Sequence, residues 1–371
     1  MKNRRLLLLS AYDAQSHRYW REGLVRHFDE YHWTVLTQPP RHFRWRSRGN
    51  SLYWAFDERE VLSRSYDGLI ATSMVDLATL RGLVPSLAGI PTAVYFHENQ
   101  FVYPTRSAKN PKDLNFALTN LYTALSADRI VFNSTFNRDT FLTGGRDFLR
   151  LMPDQIPAGV IESLEERVSV LPVPLELTCF KARSKAPTGS LNILWNHRWE
   201  YDKAPERFFG ALFELAGRER PFRLHVVGQS FREKPPIFEE ARLRLASHID
   251  TWGYLPERKD YEELLSRCDV VVSTALHEFQ GLSMLEAVAM GCQPLAPRRL
   301  AYPEYFPDDS LFSSHPDHPL AEQAALVSAI DYWIDDVEKL RRKSLPDLSF
   351  LSWPSLNSKY DRILTELIDL S

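Results

Sequence analysis

The sequence predicts an α/β protein of two doubly wound units, each a largely parallel sheet with helices on both faces. Three observations carry this. Short apolar runs rich in β-branched residues alternate with stretches whose apolar residues recur three and four apart, the signature of strands and helices taking turns. The alternation pauses at residues 181–189, a polar Lys-Ala-Arg-Ser-Lys-Ala-Pro-Thr-Gly run with no apolar period, which reads as a linker. And 371 residues exceed what one ordinary core accommodates. The expected domains are residues 1–180, residues 190–352 and a C-terminal helix over 353–371, where Leu356, Tyr360, Ile363, Leu364 and Leu367 fall at helical spacing. That helix is expected to pack back on the first domain.

In the first unit the expected strands are 6–9, 33–36, 68–71, 93–96, 129–132 and 168–171, and the expected helices 16–31, 76–87, 113–125 and 135–142. Ligands of such sheets sit beyond the C-terminal strand ends, so the polar residues there are candidates. After the first strand come Ser16, an N-cap or a ligand contact, and His17. His97, Glu98, Asn99 and Gln100 follow the fourth strand, and Asn133 and Ser134 the fifth. Each histidine is either a structural hydrogen-bonder or a ligand contact. Between the second and third strands, Arg41, Arg44, Arg46 and Arg48 interleave with His42, Phe43 and Trp45. Guanidinium groups pair with phosphates and aromatic faces stack on bases, a combination suited to RNA. The alternative is a solvated basic loop with Trp45 tucked into the core.

In the second unit strands are expected at 193–195, 224–227, 270–272 and 293–296, and helices at 205–215, 237–246, 261–268 and 282–290. The organising stretch is 269–291. Val270, Val271 and Val272 form a strand, a turn runs through Ser273, His277, Glu278 and Gly281, and a helix opens at Leu282 and Ser283 and stops at Gly291. Strand, glycine-bearing loop and helix start together hold phosphates well, because unpaired N–H groups and the helix dipole both face the anion. Glu278 and Glu286 bracket the loop; as hydrogen-bond acceptors they suit vicinal hydroxyls of a ribose or sugar, or they are a solvated pair at an ordinary strand–helix junction. Arg198 and Lys203, five apart after the unit's first strand, are placed to converge on one diphosphate, with charge-assisted bonds of roughly 1.5–3 kcal/mol each. Gly228, and Gly253 with Tyr254 and Leu255, end apolar runs and would bring backbone close to a nucleotide. The ligand cleft is expected between the two halves.

A formal net charge of −3 gives no global field toward nucleic acid or membrane, so any such partner must meet a local patch. Cys179, Cys268 and Cys292 lie far apart without metal-ligand spacing, and the last two read as small core residues in a reducing compartment. The apolar run of four leucines after Arg5 is too short for a leader, and no stretch approaches the ~20 apolar residues of a membrane span. A cytoplasmic protein is expected. Asp308-Asp309 and Asp335-Asp336 read as solvated charge rather than a metal clamp.

Arg198 with Lys203, Gly228, and Glu278 with Gly281, Leu282 and Glu286, in this order on two Rossmann-like halves, resemble a retaining GT-B glycosyltransferase of family four. Further blocks match more closely: Ser16-His17, Trp45-Arg46, His97-Glu98-Asn99-Gln100 with Tyr103-Pro104, Phe132-Asn133-Ser134, His197 to Glu200 with Asp202-Lys203, Trp252 to Pro256, and His277-Glu278-Phe279. With them the chain resembles the tRNA-queuosine α-mannosyltransferase family along nearly its whole length.

The resemblance implies a GT-B fold and transfer of mannose from GDP-mannose to the queuosine cyclopentenediol of a tRNA anticodon, with retention of configuration and no metal or other cofactor. Arg198 and Lys203 would then hold the diphosphate, backbone at Gly281 and Leu282 would meet the diphosphate or sugar, Glu286 the ribose and Glu278 the mannose. His97 would contact the donor sugar from the opposite domain. Ser16, His17, Gly228, Tyr254, Leu255 and Ser283 complete the expected donor set. Arg41, Arg44, Trp45, Arg46, Arg48, Glu98, Asn99, Gln100 and Asn133 form the expected tRNA side. No protein partner is expected. One departure is Gln280, where the broader transferase pattern has an aromatic. Other readings are the same chemistry on a different soluble acceptor, a non-catalytic nucleotide- or RNA-binding module, and a nucleotide-sugar epimerase.

Overall fold

The structure, a computed structural model, describes residues 4–102, 114–176, 189–231 and 233–370. Tyr103, Pro104, Cys179 and the expected linker up to residue 188 lie outside them. The chain divides into two compact units, Met1–Pro174 with Trp353–Ser371, and Leu175–Ser352.

The first unit carries six parallel strands, β1 (Arg5–Ser10), β2 (His32–Thr37), β3 (Gly68–Thr72), β4 (Thr92–Phe96), β5 (Arg129–Phe132) and β6 (Val168–Val170), in the order β2-β1-β3-β4-β5-β6. The central strands β3 and β4 are buried along their whole length, as a sheet covered on both faces requires. The Trp353–Ile368 helix belongs to this unit. The Trp20 indole N–H donates to the Tyr360 hydroxyl at 3.0 Å, which in turn donates to the Pro172 carbonyl at 3.0 Å, and Leu356, Leu364 and Leu367 are buried beside them.

Two expectations are corrected here. Residues 43–50 are not loop: the chain is helical over Phe43–Asp57, and Trp45 is 56% exposed rather than buried in the core. The helix is pinned by polar contacts, which is why no clean apolar period announces it. The Asn50 amide donates to the Met74 carbonyl at 3.2 Å, and the Ser51 hydroxyl to the Asp76 carbonyl at 2.6 Å. Ser16 is not a cap either. The helix Gln15–His27 begins after Ala14, and Ser16 lies exposed in its first turn.

The second unit holds β7 (Leu191–Trp195), β8 (Phe222–Val227), β9 (Ile249–Gly253), β10 (Val270–Val272), β11 (Gln293–Pro297) and β12 (Leu311–Phe312), all parallel, in the order β12-β11-β10-β7-β8-β9. Counted from the unit's own first strand this is the dinucleotide-binding order. Its direction reverses between β7 and β10, where open sheets of this kind take their ligands. Two strands escape the sequence pattern: β9 at an edge of the sheet, and β12, only two residues long. So do the helices Pro319–Asp335 and Val337–Arg342. The first buries Leu326, Val327, Ile330 and Ile334 and packs against the helix Pro205–Gly217. The paired aspartates are not merely solvated. Asp308 pairs with Arg298, Asp309 with Lys343 at 3.0 Å and Asp335 with Arg220, while Asp336 accepts the Lys339 N–H at 2.9 Å as a helix cap.

Candidate active site

The loops after β7 and β10 leave adjacent parallel strands on either side of the reversal, and backbone bonds stitch them together. The Leu276 N–H donates to the Asp202 carbonyl at 2.7 Å, and the Thr274 hydroxyl to the Lys203 carbonyl at 2.8 Å. Arg299 braces the β10 loop from beneath, donating to the Ala275 carbonyl at 2.9 Å and the Thr274 carbonyl at 3.0 Å. It is itself held by buried Glu322, which also binds Arg207 at 2.7 Å. A network of this kind fixes a loop without apolar side chains to pack.

Lys203 stands at the centre, only 7% of its side chain exposed. Its Nζ lies 2.7 Å from the His277 carbonyl, 3.1 Å from Glu278 Oε2 and 3.3 Å from Asp202 Oδ2. Three protein oxygens therefore surround the ammonium. Burial would push the Lys203 ammonium down, but Glu278 and Asp202 outweigh it and raise it. Burial likewise pushes Glu278 up, yet Lys203 brings its carboxyl down to about 2. Glu278 is therefore ionised at any physiological pH. His197 and His277 go the other way, lowered to about 4 by burial and then by Lys203, so both are neutral. Arg198, on the same loop, is 47% exposed and pairs with Glu200 at 3.1 Å; its charge is also felt at Lys203, Asp202 and His277.

Two glycines set this geometry. Gly228 has φ +148°, and a β-carbon there would lie 1.9 Å from the His197 carbonyl oxygen. Its lack of a side chain thus seats the Arg198-bearing loop against β8. Gly281, at φ +79°, starts the helix Leu282–Ala289 without a side-chain cap, leaving its first-turn N–H groups for an anion. Tyr302 lies beneath, its hydroxyl 2.6 Å from Ser273 Oγ.

Glu286 sits one turn into that helix, 6% exposed, and faces Arg258 Nη2 at 3.0 Å. Burial raises the Glu286 carboxyl despite Arg258. Glu278 and Glu286 are thus not a solvated pair: each has its own cation, Lys203 and Arg258. Arg258 also donates to Glu262 at 2.9 Å. Beside it Asn196 bridges the Tyr261 hydroxyl at 2.9 Å and the Ser283 carbonyl at 2.8 Å. Gln280 is 3% exposed. Tyr254 is exposed and Leu255 half-buried just past β9. Arg258 and Tyr302 were not singled out from sequence, and Asp202 was named only as part of a motif block. Arg258 heads an Arg-x3-Glu step at helical spacing, a signal too common to point to a site.

In the first unit, His17 and His97 stack with centroids 4.1 Å apart and an interplanar angle of 19°, and Trp20 meets His97 edge-on at 5.1 Å. Burial, and then His17, hold His97 well below its ordinary value; its Nε2 is buried with no hydrogen-bond partner. Asn99 and Asn133, expected at the acceptor, have their amides engaged inside the fold. Asn99 is 0% exposed and donates to Asn137 Oδ1 at 2.9 Å, while Asn133 donates to the His97 carbonyl at 2.9 Å and accepts from Asn137 at 2.8 Å. They position the His97 loop. Glu98 and Gln100 are half-buried, and the Gln100 amide nitrogen has no partner. Arg46 donates to Gln38 at 2.8 Å and Arg48 lies 3.5 Å from Asp76, whereas Arg41 and Arg44 are exposed. Among the described residues no group of three or more His, Cys, Asp or Glu side chains is arranged to hold a metal ion, and no helix is long and apolar enough to cross a membrane.

The sequence matches the tRNA-queuosine alpha-mannosyltransferase N-terminal family over residues 5–175 and the glycosyl transferases group 1 family over residues 180–344. A tRNA-queuosine alpha-mannosyltransferase of Drosophila melanogaster is 33% identical over 320 residues, 83% of this chain and 83% of that protein. Among solved structures, a sucrose-phosphate synthase from Thermosynechococcus elongatus aligns with a TM-score of 0.74 at 13% identity over 100% of both chains. A glycosyltransferase from Rickettsia africae aligns at 0.67 and 16% identity, again over 100% of both. Anabaena HepE, in complex with UDP and glucose, aligns at 0.66 and 14% identity over 98% of this chain and 100% of that one. These structural likenesses establish the GT-B glycosyltransferase fold. The chain belongs to the tRNA-queuosine α-mannosyltransferase family of glycosyltransferases.

Proposed function

We propose that this protein moves mannose from GDP-mannose to a cyclopentenediol hydroxyl of queuosine in a tRNA anticodon, retaining the anomeric configuration. The observation that supports it most is the cation-centred network at the β7–β10 reversal, where Lys203, Arg198 and the open helix start at Gly281 gather within one unit. The bond between the anomeric carbon and the diphosphate oxygen breaks, and its electron pair stays on the diphosphate. Fixed cations and N–H groups stabilise that growing charge more than the ground state, which is what lowers the barrier. The acceptor oxygen bonds to the anomeric carbon from the face the diphosphate leaves, and its proton passes to a departing phosphate oxygen.

In this reading Glu286 accepts from the ribose hydroxyls and ionised Glu278 from those of mannose. The neutral His97, with its unpartnered Nε2, suits an uncharged hydroxyl. Arg41, Arg44, Arg46 and Arg48 meet tRNA phosphates. Charge neutralisation falls to protein cations, so turnover should survive EDTA.

The test is mass analysis of tRNA nucleosides after incubation with each of several sugar nucleotides. A hexose gain on queuosine with GDP-mannose, absent from tRNA lacking queuosine, is the expected result. No gain with any donor would overturn the reading, and a gain with another donor alone would correct the sugar.

A further inference from the structure

The helix Phe43–Asp57 presents an outward face that the fold does not use. Trp45 is 56% exposed, Leu52 48%, Tyr53 44% and Phe56 71%. Soluble proteins seldom leave so many large apolar side chains side by side without an interaction to serve. Trp45, Gly49, Leu52 and Phe56 recur at helical spacing and so lie along one stripe. Gly49 explains how the stripe is made: a β-carbon there would lie 2.5 Å from Trp45 Cε2, so only a residue without a side chain lets the indole lie down along the helix with a face turned to solvent. Trp45, Arg46, Leu52, Tyr53, Phe56 and Asp57 line a groove of about 340 Å³.

The stripe is not electrically neutral at its edges. Arg44 and Arg48 flank it along one side, four apart on the helix, and Arg41 lies just before the helix begins. Among the described residues Arg41 and Arg44 make no ion pair and both are exposed. A cationic margin beside flat aromatic faces matches a strand whose phosphates run along one edge and whose bases turn inward. A lipid surface is better met by an apolar edge that protrudes than by a recessed groove.

We infer that the Trp45–Phe56 face of this helix is a stacking platform for unpaired bases of the acceptor tRNA, with Arg44 and Arg41 holding the adjoining phosphates. This rests on the proposed tRNA acceptor but adds a recognition mode that the basic residues alone do not supply. Stacking is tolerant of base identity and insensitive to salt, whereas the arginine contacts carry the salt dependence.

The test uses the full chain and a queuosine-bearing tRNA. Binding is measured across salt without donor, and transfer is measured with GDP-mannose. For Trp45→Ala/Phe56→Ala the Kd and the KM for tRNA should each rise about tenfold or more, with the salt slope, the KM for donor and the kcat at saturating tRNA unchanged. Trp45→Phe/Phe56→Tyr, which keeps both rings, should restore binding. Arg44→Ala should instead lower the salt slope by about one. Unchanged tRNA binding in the ring-deleted variant overturns the platform. So does ring-dependent sedimentation with phosphatidylserine–phosphatidylcholine vesicles or ring-dependent dimerisation in sedimentation velocity, if tRNA binding stays as in wild type. The two proposals fail separately. Wild-type protein that binds tRNA through these rings but transfers no mannose sinks the reaction and keeps the platform; full transfer with indifferent ring variants does the reverse.

Discussion

The loops after β7 and β10 and the loops around β1 and β4 occupy the same kind of place, the C-terminal end of a parallel sheet, and are built oppositely. The first set is ionic: Lys203 sits among Asp202, Glu278 and the His277 carbonyl, and Glu278 is held at about 2. The second centres on an uncharged pair: His17 and His97 stack face to face and burial keeps His97 neutral, while the one buried carboxylate after β1, Asp13, is paired with Arg21 at 2.9 Å. Buried charges are costly unless they are paired, and the second unit pairs them throughout: Lys203 with Glu278, Arg207 with Glu322 and Arg341 with Asp269. A stacked neutral pair suits hydroxyls instead. The same sheet edge can thus be fitted for a charged or an uncharged partner by what its loops bury.

The sharpest way to break this contrast is Lys203→Met. It leaves Asp202 and Glu278 facing each other without their cation, and removing one member of a buried ion pair costs about 3–5 kcal/mol. Urea unfolding at pH 7 should show that loss, and transfer should fall by roughly 10²–10³ even where the protein remains folded. A further Glu278→Gln change should return part of the stability but none of the activity. A stability cost below 1 kcal/mol would mean that the network is not as tightly coupled as its distances indicate.

Acid separates the regions next. His197 and His277 bind protons near 6.5 when unfolded but only near 4 when folded. Between those values the unfolded chain holds more protons, so the stability is full above about pH 6.5 and drains as pH falls toward 4. His97, also lowered, adds in the same direction. Glu278 behaves as a depressed carboxyl: its contribution is present above its ordinary value of 4.5 and is lost as pH drops toward 2. Unfolding free energies from urea titrations at pH 7 and pH 4.5 should differ by on the order of 5 kcal/mol. A flat profile would show that these histidines are charged in the native state.

Gly228→Ala probes the loop seating. With a β-carbon 1.9 Å from the His197 carbonyl and φ at +148°, the Arg198 loop must shift, and a displacement of that order costs roughly 10²-fold in turnover. Activity within twofold of wild type would show that the loop's position is not critical. Arg258→Ala is expected to be milder, raising the KM for the sugar nucleotide by about tenfold through loss of the Glu286 contact. Because Glu286 is already raised by burial, the acid limb of the KM profile should also move to higher pH, a shift that a purely structural role would not produce.

Much of this was legible in the chain. The valines of β10 and the leucines of β1 are continuous apolar runs, and fully buried parallel strands cannot look otherwise. The helix over Trp353–Ile368 carries so regular an apolar face that its limits can be read directly. The Phe43–Asp57 helix could not, because its buried side is mostly Ser47, Gly49, Asn50 and Ser51, polar or small residues, with only Trp54 and Ala55 near its end adding apolar contact. At the site, motif spacing pointed to Arg198, Lys203, Glu278 and Glu286 but not to who pairs with whom. Lys203 meets Glu278 across 75 positions and Arg258 meets Glu286 across a loop and a strand, partnerships set by strand order rather than by local pattern. The internal partners of Asn99 and Asn133 escaped notice for a related reason: a polar residue at a strand end looks the same in sequence whether its amide faces a ligand or Asn137.

The most direct measurement is a crystal structure of the protein with GDP. The diphosphate should lie at the β7–β10 reversal, its oxygens within hydrogen-bond reach of Lys203, Arg198 and the first N–H groups after Gly281, and the ribose should sit on Glu286. GDP seated elsewhere, with the Lys203–Glu278–Asp202 cluster undisturbed and closed to solvent, would contradict the assignment of that network to the donor.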